Sequence, residues 1–554
     1  MSEETRYVYA YGARGAKRIL LGMFQVENLG EQGVRYTPVW SRIWKIAVGA
    51  AVLGYLSLVS LFYFREKYMR DIQSTEWSRC FLYFISEDAR KEHTTMKGDN
   101  YIEIAKAALR RQDYAEFAKY IGVGAGLSRA NLEGQRLCAD LYFAFGRTDD
   151  AYQILEQSLV YAKQDRGHFR NHLRRCFMLD QDERILRVAE AYMDDPEVDP
   201  GVQADLRVAY AQANFLRGNF DQAIDFIRAK RLDLTLEGYT LLCQISWEKG
   251  DREAAVQRLA DAARTFPNAE HLRSMLARWH KELGNLEQAR DALNLLAVRD
   301  PSAPSPRIQV LYLLPGKDNE ARRNEAIDRL LKDFPTNETA LLELAQFGND
   351  TSDTSLTRRL LGLASDGKFP SRPKFLLTHV ECLINAGKNQ EAIGIVDDLF
   401  MRDAKSQWFG EMQVTFEALR TIAYYGDGQA DIGAINLKKV MDARNTPPQL
   451  LVAIGRKLIQ VGRHDEANAT LVAAHLRHEN NQALLLQLVK MKIDNEEMTD
   501  DLELYLRRLM ATRRPPYDVL DRAYNRIASD RFIYSEGRSA LLRDITEALK
   551  SAAR

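Results

Sequence analysis

The pattern of apolar and polar positions changes character along the 554 residues of the chain. From Ile46 to Phe64 it reads IAVGAAVLGYLSLVSLFYF, nineteen residues without a charge, bracketed by Lys45 and Arg65. At about 1.5 Å of rise per residue, such a run matches the roughly 30 Å hydrocarbon thickness of a bilayer. A soluble helix of that length would keep a polar stripe. Trp44 and Tyr63 fall near the two ends, where aromatic rings prefer to lie. The pattern predicts a single transmembrane helix over 43–65. Further on, apolar residues recur at helical spacing in short segments punctuated by Gly and Pro, which predicts an all-α chain of helical hairpins.

The punctuation is regular. Residues 249–267, KGDREAAVQRLADAARTFP, contain Gly250, Ala255 and Pro267. Thirty-four positions on, LGNLEQARDALNLLAVRDP carries Gly284, Ala289 and Pro301 in the same places. A Gly after a helix supplies the left-handed residue that lets the chain reverse. Small residues let two helices approach closely, and Pro ends the second helix. The Gly-and-Ala pairing recurs at Gly218 and Ala223, Gly146 and Ala151, Gly387 and Ala392, and Gly462 and Ala467. Pro335 lies one further period beyond Pro301, and a degenerate first unit from Tyr101 has Gln112 where Gly is expected. Residues 406–447 read as a hairpin with a widened Gly-Asp-Gly turn. One hairpin cannot bury its apolar face alone, so successive hairpins must stack.

A 34-residue period with this punctuation resembles the tetratricopeptide repeat. Residues 236–269 and 270–303 match it best: Tyr239 and Leu242 fall on a first helix, and Ala255, Leu259 and Ala262 on a second. The resemblance implies an α-solenoid following the anchor, divided as 1–42 basic tail, 43–65 signal anchor, 66–99 juxtamembrane segment, 100–345 repeats (best units 204–303), 346–481 degenerate hairpins and 482–554 helical cap. It also implies a superhelical groove lined by first-helix residues, here Gln212, Phe215, Gln244, Trp247, Arg278 and Lys281, that takes a peptide or an amphipathic helix. Packing of Phe215 and Trp247 between repeats is the open alternative. The Lys and Asn pattern with which some relatives clamp a C-terminal carboxylate is absent.

Composition narrows the chemistry. Lys plus Arg and Asp plus Glu both number 77, so no global field favours nucleic acid. The five cysteines are scattered without a CxxC pair, which removes a zinc ribbon, argues against a disulfide framework, and suits small buried hydrophobes. GVGAGLS at 122–128 lacks the Lys-Ser/Thr of a phosphate loop and is expected to be a turn between helices. His475, His478 and Glu479 lack a further ligand and are expected at a solvent-facing helix end. No GxSxG elbow is present. The basic run 163–175, KQDRGHFRNHLRR, fits surface charge better than a phosphate or acidic-partner site. No catalytic residue, cofactor, metal, nucleic acid or small-molecule substrate is expected; the chain reads as a non-enzyme.

The 45 residues before the apolar run are too many for a cleavable signal peptide. Arg6, Arg14, Lys17, Arg18, Arg35, Arg42 and Lys45 precede the span, and Arg65, Lys67, Arg70 and Arg79 follow it. The larger N-terminal total favours a cytoplasmic N-terminus, with the C-terminal domain periplasmic in a bacterial inner membrane; the unpaired cysteines favour the reverse. Residues 13–26, ARGAKRILLGMFQV, read as a surface-lying helix or a disordered tail. The resulting expectation is a single-pass scaffold, held in the membrane by 46–64, for assembly of an envelope, secretion or surface complex. The alternative is a cytoplasm-facing adaptor of a membrane protease or biosynthetic enzyme.

Overall fold

In the computed structural model, the described residues are 17–28, 34–69, 72, 75–314, 316–443, 446–478, 481–495, 497–498 and 501–553. They form two compact units, 1–169 and 170–554.

The first unit opens with a three-stranded antiparallel meander, β1 (Lys17–Ile19), β2 (Phe24–Asn28) and β3 (Val34–Pro38). Residues 1–16 of the basic tail lie outside the described residues. Within 17–26, where a surface helix or disordered tail is expected, the chain is instead a strand pair. The alternation Phe24-Gln25-Val26-Glu27 has the two-residue period of a strand, and β3 supplies its partner. Val39 N–H then donates to Met23 O at 2.8 Å, tying the meander to the start of the next helix. That helix runs from Trp40 to Phe64 and contains the whole apolar run. Only Val59 on it is buried; Leu53 and Leu61 are about two-thirds exposed. A single π-type turn, Arg65–Met69, ends it, and a short helix, Trp77–Tyr83, follows. The first hairpin then begins at Glu87, inside the segment expected to be juxtamembrane, with Ser86 as N-cap.

The hairpins share one backbone device. A residue with positive φ sits between the two helices at 112, 146, 180, 218, 250, 284, 316, 352, 387, 428 and 462. Most are Gly, but Gln112, Asp180 and Ser352 adopt φ of 62°, 56° and 56°. A side chain in that conformation costs roughly 1–2 kcal/mol relative to the right-handed region, so the neighbouring helices must over-determine it. Asp180 and Ser352 mark hairpins that a search for Gly passes over: Arg166–Met178 with Asp182–Tyr192, and Glu338–Asp350 with Thr354–Asp366. Ala255, Ala262 and Ala289 are fully buried at the helix contacts.

The glycine cluster at 122–128 is not a turn. It lies in the helix Tyr114–Leu127, packed on Glu87–Arg110. A Cβ on Gly124 would meet Gly98 O at 3.0 Å, and one on Gly98 would meet Ser128 N at 2.6 Å. Gly122 and Gly126 face open space. Two facing glycines thus set the closeness of this helix pair.

In the second unit the chain past residue 481 forms two more hairpins, Gln482–Asp494 with Leu502–Thr512 and Tyr517–Ala528 with Arg538–Ala553. One apolar cluster runs through them, from Ala418 to Ile545. The loop between the two hairpins returns to the start of the unit. Arg513 donates to both carboxylate oxygens of Asp182, at 2.6 and 2.7 Å, to Asp180, and to Phe177 O at 3.1 Å. Asp182 is 1% exposed. Burial pushes the Asp180 carboxyl up, against the opposing pull of Arg513. Arg514 N–H donates to Leu216 O at 3.0 Å, and its guanidinium lies 5.1 Å over the Phe220 ring and 3.5 Å from Glu248.

Three predictions follow from this packing. Gly124→Val should destabilise the first unit by about 1–3 kcal/mol through overpacking, whereas Gly122→Ala should stabilise it by about 1 kcal/mol through helix propensity; denaturant unfolding distinguishes them. Arg513→Ala leaves a buried carboxylate uncompensated and should cost about 3–5 kcal/mol, with hydrogen exchange rising at 177–182 but not at 270–299. His168 is buried, its Nε2 2.7 Å from Ser158 Oγ, and burial with the Arg136 charge lowers its pKa from 6.5 to about 4. The folded state therefore binds this proton less readily than the unfolded. The contribution, on the order of 3 kcal/mol, is present above pH 6.5 and lost as the pH falls to about 4. Urea midpoints across that window should fall, and His168→Gln should flatten the dependence.

Candidate protein-binding surface

The first helices of successive hairpins present the residues expected to line a groove. Leu236–Glu248 starts at Thr235, whose hydroxyl accepts from Gly238 N–H at 3.2 Å, and stops before left-handed Gly250. Glu270–Glu282 carries Glu270 in its first turn and Lys281 in its last, each complementing the helix dipole. Ser305–Leu311 follows as the next first helix.

The six expected residues separate into three groups. Arg278 and Lys281 come together, lining a hollow of about 420 Å³ with His271, Met275, Gln309 and Tyr312. Arg278 is exposed and only loosely held, 4.0 Å from Glu282. Lys281 Nζ lies 5.2 Å from the Tyr312 ring centre. The Tyr312 hydroxyl donates to Asp350 Oδ2 at 2.8 Å; burial and this bond push its pKa up, so it stays a phenol. Two cations beside a thioether and an aromatic face make a place for a carboxylate flanked by apolar side chains.

Gln212 lines a second hollow, of about 470 Å³, with Arg170, Arg174, Phe177, Met178 and Val208. The basic run is therefore divided by its helix. His168 and His172 point into the core, while Arg170 makes a two-pronged bond to Asp205 at 2.7 and 3.1 Å. Met178 is three-quarters exposed beside it.

Phe215 and Trp247 pack between helices. Phe215 is half-buried against Phe220, with ring centres 6.0 Å apart. Trp247 is 8% exposed and stacks on Trp279 at 4.5 Å and 8°, with the Arg252 guanidinium 5.2 Å above it. This pair joins Leu236–Glu248 to Glu270–Glu282 and leaves little of Trp247 for a ligand. Gln244 is half-buried on the same helix.

Tyr312 is the groove residue that sequence reasoning missed. It stands one 34-residue period after Arg278, and extending the period by one step reaches it. His475 departs from its expected solvent-facing position: it is buried, edge-on to Tyr505, with Arg508 Nη1 3.0 Å from its Nε2. All five cysteines are buried thiols, and burial pushes Cys138 and Cys243 up to about 11. Among the described residues no three metal-ligating side chains converge.

Residues 246–311 match the family model for the tetratricopeptide repeat. No curated protein matches the chain. Solved structures similar to it include the Naa15/Naa10 complex bound to HypK-THB, at 14% identity over 82% of this chain and 80% of that one, TM-score 0.26. A tetratricopeptide repeat protein from Parabacteroides merdae aligns at 14% identity over 56% and 98%, TM-score 0.28. The APC/C hetero-tetramer Cut9–Hcn1 aligns at 14% identity over 82% and 86%, TM-score 0.28. Residues 246–311 thus match the tetratricopeptide repeat, and the same hairpin with a left-handed turn residue continues on both sides of them.

Proposed function

We propose that this chain is a single-pass, membrane-anchored scaffold that holds a partner protein beside the bilayer during assembly of an envelope, secretion or surface complex. The observation that carries the reading is the joining, in one polypeptide, of an outward-facing apolar helix and an exposed cationic hollow. Leu53, Leu61 and Phe64 of Trp40–Phe64 are turned away from the rest of the protein, as lipid-facing residues are. The hollow at Arg278 and Lys281 suits a partner segment that offers a carboxylate beside aliphatic side chains, in an extended peptide or an amphipathic helix. Gln212 and its hollow, with Gln244 between the two, extend the proposed contact along the first-helix face.

Orientation has two readings. The basic N-terminal residues favour a C-terminal domain across a bacterial inner membrane. The five unpaired buried cysteines favour a reducing compartment and a cytoplasm-facing adaptor. A topology reporter fused after Arg554 separates them, since activity in the cytoplasm removes the first.

Partner capture from native membranes tests the binding surface. Arg278→Glu with Lys281→Glu should lower recovery of the partner by about tenfold or more, as reversal of an electrostatic contact does, without changing the unfolding curve. Unchanged recovery would count against the hollow as the site. Trp247→Ala should instead cost about 3–5 kcal/mol of stability, the usual loss for a buried aromatic.

A further inference from the structure

The apolar helix Trp40–Phe64 does not stand alone. The short helix Trp77–Tyr83 packs across its C-terminal half, between the levels of Tyr55 and Phe62. Trp77 Nε1 donates to Ser60 Oγ at 3.2 Å. The Tyr55 hydroxyl donates to the backbone carbonyl of Phe81, and the Tyr55 and Phe81 rings meet edge to face at 5.1 Å. Tyr83, at the end of the same helix, stacks on Phe62 at 4.6 Å, and Phe84 lies between the two levels, 5.4 Å from Phe62 and 6.2 Å from Tyr55. Tyr55 lies nine residues before Phe64, roughly 14 Å along the helix axis. That distance is close to the thickness of one hydrocarbon leaflet, about 15 Å.

The segment is dressed for an apolar surrounding. Cys80 is buried, while Trp77, Leu82, Phe84 and Ile85 remain exposed, Ile85 by 64%. On the helix that they pack against, Leu58, Leu61 and Phe64 are exposed as well. Two polar groups of the segment are matched by the long helix: the Phe81 carbonyl by Tyr55 and the Trp77 indole by Ser60. Arg79 is matched by Glu76 at 3.6 Å and Glu92 at 3.2 Å. Lipid offers no hydrogen bonds, so a backbone that enters it must find partners of this kind. Glu66, buried and within 3.0 Å of Arg65, 3.8 Å of His93 and 3.9 Å of Lys97, places a charged layer at the mouth of the turn.

We infer that residues 77–85 form a second membrane contact, a re-entrant hairpin that enters the leaflet holding the C-terminal half of the Trp40–Phe64 helix and returns to the same side. The occupant of its outward face is lipid acyl chain. The inference rests on the anchored reading above, and its test keeps the two apart. Single cysteines at Leu82, Ile85 and Val52 of the full-length chain are labelled with an environment-sensitive fluorophore. The protein is then reconstituted in phosphatidylcholine–phosphatidylglycerol vesicles carrying nitroxide-labelled acyl chains. The expected result is lipid quenching at 82 and 85 comparable with that at 52, and little quenching by aqueous iodide. Iodide quenching at 82 and 85 with lipid quenching retained at 52 overturns the hairpin and leaves the anchor standing. Shielding of 82 and 85 from both quenchers means a protein surface covers them, and also overturns it. Loss of lipid quenching at 52 removes the anchor and the hairpin together. Leu82→Lys with Ile85→Lys provides a second measurement: lipid quenching of a label at position 77 should fall several-fold, while that at 52 holds.

Discussion

A pair of short helices joined by a tight turn has more apolar surface than the two can cover for each other. Everything past residue 87 answers to that constraint. Each hairpin borrows its neighbour's face, and the turn between its helices must reverse the chain within about three residues, which requires one residue in the left-handed region. The recurrence of that residue from Gln112 to Gly462 holds successive hairpins in register. It also explains where small side chains are indispensable. Ala255 and Ala289 sit at helix contacts with no exposed surface, and Gly98 faces Gly124 where a methyl group would collide with backbone.

The same constraint separates residues that stay at the surface from those that pack. A large aromatic residue on a first helix has two possible uses, facing the groove or filling the gap to the next hairpin. Trp247 takes the second, because Trp279 stands parallel to it at stacking distance. Charged residues one turn away have no such option. Arg278 and Lys281 cannot be buried without partners, so they remain at the surface and give the neighbouring hollow its sign.

Much of this fold is legible from punctuation alone. Gly250 and Gly284 announce their turns, and the nineteen-residue apolar run announces its helix. Gln112 was legible as a substitute because its neighbours kept the period. Asp180 and Ser352 escaped because neither is Gly and the spacing drifts beside them: Asp180 stands 34 residues after Gly146 but 38 before Gly218, and Ser352 stands 36 after Gly316. The meander at 17–38 escaped because each strand is short, and a strand gains its stability from a partner elsewhere in the chain. Arg278 and Lys281 were legible as neighbours on one helix face, but the hollow that they line was not, since Tyr312 on the following helix completes it. Long-range ties are the hardest case. No local pattern links Arg513 to Asp182, more than 300 positions away.

That tie has a mechanical consequence. A stack whose last hairpin is free can change pitch at one interface after another, because every contact is between neighbours. With Arg513 and Arg514 fastened to 177–182 and to Leu216, residues 177–514 become a closed circuit. A change of pitch anywhere in it must be absorbed by the remaining interfaces or break the fastening. That stretch is thereby a clamped loop rather than a spring.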